Sequence, residues 1–431
     1  MTRTLTGHRD LRLGIGPFAR VAPALVVATA WFAATVAVGL LDVRVGGRWL
    51  VVHLFTLGVL TNLLVAFTQH FARSVTRVDA DLGPRALLAL NLGVVGVLAG
   101  MVAGAPALLA GGATTVVAII ALGRVQLSRM RAAAVSTRFD WLVATYARAY
   151  EALAVAAALG AAMGAGAVPG AWYGSVRLSH LHLTLLGWTG LVVIATVAFF
   201  TPAMLRLRAP EGSEARAARS LRAGTGGLAV AALALAVPDV AGAAGTAVDL
   251  VAAAALAVYA WPVVAVTRSV LAMARGAHPA AAKPLTAAAM LWFCAVVGTD
   301  VVVVATDAVA WQPALGLAVG LGVGVQLILA VALNLLPSLR GRGFAARDAL
   351  IARTEQRTAV RAVALNAAIG AIVFQASPTV TPPAWVAATA WAVVLAVVAH
   401  AVLLAVLPVD ADPTVARSSV ARRYRGAQAD A

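Results

Sequence analysis

Cysteine is almost missing from this chain. One residue, Cys294, is all there is, which excludes a disulfide framework, a cysteine zinc site and a cysteine-ligated iron–sulfur cluster within the chain. Charge is scarce too: only 12% of the 431 residues are Asp, Glu, Lys or Arg, about half the share of an average soluble domain. What fills the space is apolar, 62% of residues, with a mean hydropathy of +0.91. A chain of that make-up is a polytopic membrane protein.

Runs of roughly 18 or more apolar residues, enough to cross about 30 Å of hydrocarbon, start near Val21, Leu50, Ala86, Pro106, Trp141, Leu178, Gly224, Thr246, Pro284, Gln312, Thr358 and Pro383. The expectation is therefore an all-α protein of about twelve transmembrane helices. The net charge of +16 raises the question of nucleic acid, but the positions of the arginines answer it. Connections 1/2, 3/4, 5/6, 7/8, 9/10 and 11/12 hold only Arg44, Arg48 and Arg177; Arg148 and Arg361 lie within segments, and every other Lys or Arg falls on the opposite side. Cytoplasmic connections retain positive charge, so both termini are expected in the cytoplasm, in a cell (plasma) membrane. The charge reads as topology and attraction to anionic membrane lipid, with no nucleic acid partner.

Three regions follow: a basic cytoplasmic N-terminus (1–20), a twelve-helix domain (21–408) and a flexible cytoplasmic tail (409–431). The first segment, about 21 residues long without a small-residue cleavage site, reads as a retained span and not as a signal. The stretch Arg206–Arg222 mixes arginines with Glu211 and Glu214 and reads as an interfacial helix. Glycines four apart, Gly96/Gly100/Gly104 and Gly316/Gly320/Gly324, predict smooth faces for close helix packing or for a flat ring. No internal repeat is evident by eye.

Polar residues at membrane depth mark two levels. His53, His180 and His182 fall near the outer ends of segments 2 and 6, with Asp300 of segment 9 at the same level. Neutral imidazole ligates copper and heme iron, whereas histidines at a helix start can equally be interfacial and wet. His180 and His182, two apart, point about 200° from each other on a regular helix and are expected to serve different faces. Asp300 is a candidate partner for fixing an imidazole tautomer. The inner level holds Gln69, His70, Tyr146, Arg148, Tyr150, Glu151, Asn334 and His400; Arg148 and Glu151 are three apart and can pair.

Two stretches, HLFTLGVLTNLLVAFTQHF (His53 to Phe71) and HLHLTLLGWTGLVVIATVAFFTPAMLRLR (His180 to Arg208), resemble the membrane module of the heme-copper oxidase subunit I-like superfamily. They are similar to NnrS-type proteins and to actinobacterial multi-span modules found alone or fused to multicopper oxidases. That resemblance implies twelve spans with cytoplasmic termini, and histidines near the outer ends of segments 2 and 6 that bind low-spin heme and copper respectively. GVQLILAVALNLLPSL (Gly324 to Leu339) is similar to the end of a segment in these modules. The chain departs from the respiratory oxidases in segment 10, which holds no histidine, and lacks their segment 7 histidine pair and cross-linking tyrosine. The set for a complete oxygen-reducing centre is missing.

The resemblance implies heme or copper held by His53, His180 and His182, a role in copper, nitric-oxide or redox-stress handling, and a redox or multicopper-oxidase partner. A secondary transporter of major-facilitator-like topology is the competing reading, with Asp300, Arg148 and Glu151 as coupling residues. The connection RSVTRVDADLGPR lacks the Gly/Asp-Arg pattern of that family, and mid-depth is nearly free of charge. A structural membrane subunit with relic histidines is the third.

Overall fold

The computed structural model describes residues 20–40, 47–205, 207–238, 242–276, 280–340, 344–380 and 383–407. Most of the basic N-terminus and of the tail lies outside the described residues, as does Arg206. The described residues are helical throughout, with no strand. In chain order the helices are α1 (Ala22–Leu40), α2 (Gly47–Thr76), α3 (Gly83–Val102), α4 (Pro106–Ala132), α5 (Asp140–Gly164), α6 (Gly170–Leu205), α7 (Ser213–Leu235), α8 (Ala243–Gly276), α9 (Ala282–Ala305), α10 (Val309–Pro337), α11 (Phe344–Glu355), α12 (Thr358–Gln375) and α13 (Ala384–Val406). Eleven helices among the described residues are long and apolar enough to cross a membrane: all but α7 and α11.

Helix α7 accounts for the difference from the twelve segments expected. Its C-terminal half is the apolar segment that begins near Gly224, but its N-terminal half carries Glu214, Arg216, Arg219 and Arg222. The arginine-rich stretch is therefore no separate interfacial helix: from Ser213 onward it runs unbroken into the apolar part. Two glycines account for the fit, because a Cβ on Gly224 would lie 2.5 Å from Pro262 and one on Gly227 would lie 2.6 Å from the Ala255 carbonyl oxygen. Helix α8 packs that close.

The chain divides into two compact units, residues 1–192 and 193–431. In the first, α3 and α4 form a tight hairpin through the predicted glycine face. A Cβ on Gly100 would meet the Leu109 amide nitrogen at 2.4 Å, and one on Gly112 would meet the Val97 amide nitrogen at 2.5 Å. The turn between them uses Gly104 at φ +62°. The second predicted stripe behaves differently: Gly316 and Gly320 border open space. The glycine of α10 that is packed is Gly322, off that stripe, where the Trp292 ring occupies the room a Cβ would need.

Helices α2, α6 and α10 each contain a π-helical segment, at Leu54–Leu60, Leu183–Gly190 and Ala318–Val325. Such segments widen the helix locally and recur at functional sites. The residues just before them are His53, His182 and Leu317. Around the first two the sequence repeats as Arg-x4-His-Leu-x-x-Leu-Gly, from Arg48 to Gly58 and from Arg177 to Gly187. Structure exposes a second repetition. In the first unit Trp31 Nε1 donates to Asn91 Oδ1 (2.7 Å), Asn91 and Asn62 exchange bonds of 2.9 and 3.0 Å, and Asn62 Nδ2 also donates to the Gly58 carbonyl (2.7 Å). In the second, Trp292 Nε1 donates to Asn366 Oδ1 (2.7 Å), Asn366 and Gln326 exchange two bonds of 3.0 Å, and Gln326 Nε2 also donates to the Gly322 carbonyl (2.8 Å). Helices α1–α3 and α9, α10, α12 thus carry the same internal clamp.

Candidate functional site

Two of the three predicted histidines come together in the first unit. The rings of His53 and His180 lie with centres 6.5 Å apart and planes within 17° of parallel. His53 closes the α-helical start of α2; its Nδ1 is 2.8 Å from the Trp49 carbonyl oxygen, and its ring stacks on the Trp49 indole at 4.1 Å. His180 reaches across to α5, with Nδ1 2.8 Å from the Ala156 carbonyl oxygen. Gly160, one turn further along α5, gives the ring its room, since a Cβ there would lie 2.9 Å from His180 Cε1. His182, buried at 7% exposure, turns instead to its own helix, with Nδ1 2.8 Å from the Leu178 carbonyl oxygen.

A carbonyl oxygen can only accept, so in each neutral ring Nδ1 carries the hydrogen and Nε2 the lone pair. That is the form a metal-binding imidazole needs, with one nitrogen tied to a carbonyl that fixes tautomer and orientation. The tautomer-fixing partners are main-chain carbonyls. Asp300 is buried late in α9, in the second unit. Span α6 begins at Gly170 and not at Leu178, so His180 lies well inside the helix, with Arg177 and the exposed Trp172 and Tyr173 ahead of it.

Two imidazoles that share one ion through facing nitrogens, at about 2.0–2.1 Å each, hold their ring centres roughly 6 Å apart. The His53–His180 spacing fits that arrangement. No group of three or more His, Cys, Asp or Glu side chains suited to a metal occurs among the described residues. Two imidazoles would supply nitrogen donors to a heme iron, whose other four donors come from the macrocycle, or to copper of low coordination number.

The inner polar level lies about 24 Å along α2 from His53, taking 1.5 Å per residue to Gln69. There Tyr150, fully buried, has its hydroxyl 2.9 Å from Thr68 Oγ1 and 3.5 Å from Gln69 Nε2, and its ring packs edge-on against Trp188 at 5.0 Å. Arg148 pairs with Glu151 at 2.7 Å, and Arg124 of α4 joins from the other side at 2.9 Å. His70 packs edge-on against Phe71. His400 is exposed on α13 in the second unit. In the α2–α3 connection, Arg20 and Arg73 share Asp79 at 2.7 and 2.6 Å. The hydrogen bond from Arg20, with its charge, holds the Asp79 carboxyl below the usual carboxylate range, and the same contact raises Arg20.

Nothing in the sequence marks Trp49, the Ala156 carbonyl or Gly160 as site components, because each acts through packing geometry. The Arg-x4-His-Leu-x-x-Leu-Gly repetition was a legible signal, and so was the Gly-x3-Asn or Gly-x3-Gln pattern at Gly58/Asn62 and Gly322/Gln326. Compared with models of known protein families and with curated proteins, the chain matches none.

Proposed function

We propose that this chain is a twelve-span protein of the plasma membrane with cytoplasmic termini, related to the heme-copper oxidase-like and NnrS-type modules, that holds heme or copper between α2 and α6. The observation carrying this reading is the near-parallel His53–His180 pair at 6.5 Å, each ring anchored through Nδ1 to a carbonyl. His53 and His180 are the ligands; His182, tied to its own helix, stands beside them. A bound heme or copper ion would supply one-electron chemistry. The residues of this chain fix in each ring the tautomer whose Nε2 carries the lone pair and keep the site partly buried, and two ligands suit electron transfer or metal retention better than turnover. A role in copper, nitric-oxide or redox-stress handling with a redox partner follows from the resemblance.

The alternation of basic connections supports the twelve-span count, with α7 as the remaining crossing. The transporter reading needs charged coupling residues at mid-depth. Of its three coupling candidates, Arg148 and Glu151 are tied up with Arg124 and Asp300 is buried towards the end of α9, while the mid-depth polar groups of α2 and α10 are neutral amides in closed hydrogen-bond sets.

Optical spectra of the detergent-purified protein, oxidised and reduced, together with copper analysis, test the proposal. The expected result is a Soret band or stoichiometric copper that disappears in His53→Ala and His180→Ala and persists in His182→Ala. Absence of both signals from the wild type would leave the structural-subunit reading.

A further inference from the structure

A cavity of about 290 Å³ opens between α1, α2 and α3 at the end of the bundle that carries the basic connection. Its wall changes character with depth. The end nearest the α2–α3 connection is polar, with Arg20, Gln69, His70, Arg73 and Asp81; below, the lining is aliphatic, including Val65 and Leu90, and no Phe, Tyr or Trp contributes. Arg20 precedes α1, Arg73 lies in the last turn of α2, and Gly83 opens α3, so the polar end sits at the level of a lipid headgroup and the aliphatic part at the level of acyl chains.

Hydrogen bonding narrows the chemistry of the occupant. Thr68 donates its hydroxyl hydrogen to the Leu64 carbonyl, so the Tyr150 hydroxyl donates to Thr68 Oγ1 and accepts from Gln69 Nε2. This chain fixes the orientation of the Gln69 amide. Gln69 is only 5% exposed and its Oε1 has no partner; Arg73 Nε is likewise buried without one. A buried acceptor and a buried donor left unmade are each costly. Asp79 and Asp81 together match the charges of Arg20 and Arg73, so the occupant is selected by the unmade donor Arg73 Nε and the unmade acceptor Gln69 Oε1 and not by an excess of charge.

We infer that this cavity is a binding site for an anionic phospholipid whose headgroup bears a free hydroxyl, of the phosphatidylglycerol class. The phosphate accepts from Arg73 Nε and competes with the exposed Asp79 for Arg20. A glycerol hydroxyl donates to Gln69 Oε1. The first carbons of the acyl chains lie along the aliphatic wall. Basic pockets between membrane helices are a recurrent solution for anionic headgroups; the buried amide acceptor adds a preference among them, because a site built to hydrogen-bond a hydroxyl rejects the analogue without one.

The test uses the full chain in detergent, exhaustively delipidated, with phosphatidylglycerol, phosphatidic acid, phosphatidylcholine or soluble glycerol phosphate added, and bound lipid counted by native mass spectrometry beside thermal unfolding. One phosphatidylglycerol per chain is expected to persist and raise the unfolding temperature, with phosphatidic acid about tenfold weaker, the loss expected of one hydrogen bond. Phosphatidylcholine and soluble glycerol phosphate are expected to do neither. Arg20→Gln, at a half-exposed position that tolerates substitution, weakens phosphatidylglycerol about tenfold, and Gln69→Leu brings phosphatidylglycerol and phosphatidic acid to equal affinity. Equal retention of phosphatidylcholine, equal binding of soluble glycerol phosphate, or an Arg20→Gln protein that binds as wild type overturns the assignment. An unchanged circular dichroism spectrum of each variant separates loss of binding from loss of fold.

Discussion

At the scale of single residues, the His53–His180 pair depends on a residue with no side chain. Gly160 leaves the space that the His180 ring fills, so Gly160→Ala must push the imidazole or bend α5. Overpacking of this kind costs about 1–3 kcal/mol, and the expected outcome is a lowered unfolding temperature together with a perturbed spectrum of any group bound at the pair. A variant with both unchanged would place His180 elsewhere. Asp79 makes a second prediction at this scale. Its carboxyl is held below the usual carboxylate range by Arg20, so its contribution is complete above the unfolded carboxylate value and is lost as pH falls through the lowered folded value. Thermal unfolding is therefore expected to show an acid-labile component below about pH 4 that is reduced in Arg20→Gln, where Arg73 still meets Asp79. The pair is exposed, and salt weakens it.

Elements repeat where the residues at first sight do not. The tryptophan–amide clamps at Trp31/Asn62/Asn91 and Trp292/Gln326/Asn366 tie three helices in each unit through one geometry, with the packed glycine set four residues before the amide in both. Asn91→Ala leaves the Trp31 indole and the Asn62 amide each short of a partner, and is expected to cost roughly 1–2 kcal/mol. Asn366→Ala should cost the same. A double-mutant cycle of Asn91→Ala with Trp31→Phe checks this: a coupling energy near zero would mean that the clamp is only geometric. The π-helical segments of α2, α6 and α10 begin at corresponding points, and in α10 Leu317 stands where α2 and α6 carry histidine. The repetition escapes inspection of the sequence because it resides in a few side chains scattered among interchangeable aliphatics.

For the whole molecule, the path of α7 sets the number of crossings. If it crosses the membrane, the connection before it and the start of α8 lie on opposite sides. In a Cys294→Ser background, Glu211→Cys is expected to be shielded from an impermeant maleimide in intact cells, and Thr246→Cys is expected to react. Reaction of both from one side would reduce the crossings to eleven and move the C-terminus across the membrane. Hydropathy marked every other span, since a crossing helix must be apolar along its length. At α7 it marked only the apolar half from Gly224, because the first half of that helix carries charge, and it started α6 too late because Trp172, Tyr173 and Arg177 dilute the apolar signal ahead of the histidines.

The sequence by itself determined the helical, membrane-spanning make-up and the uneven distribution of basic residues among its connections. Both follow from one requirement acting on every residue: backbone polar groups must be satisfied inside the segment, and charges belong at its ends. It also placed His53, His180 and His182 at neighbouring depths, because depth is counted along one helix. Only tertiary structure decided which histidine meets His53, which glycines are packed, and that a cavity of about 290 Å³ lies beneath Arg20 and Arg73. Those depend on the rotation of one helix against the next, which is set by contacts between segments far apart in the chain, such as the His180 ring on Gly160.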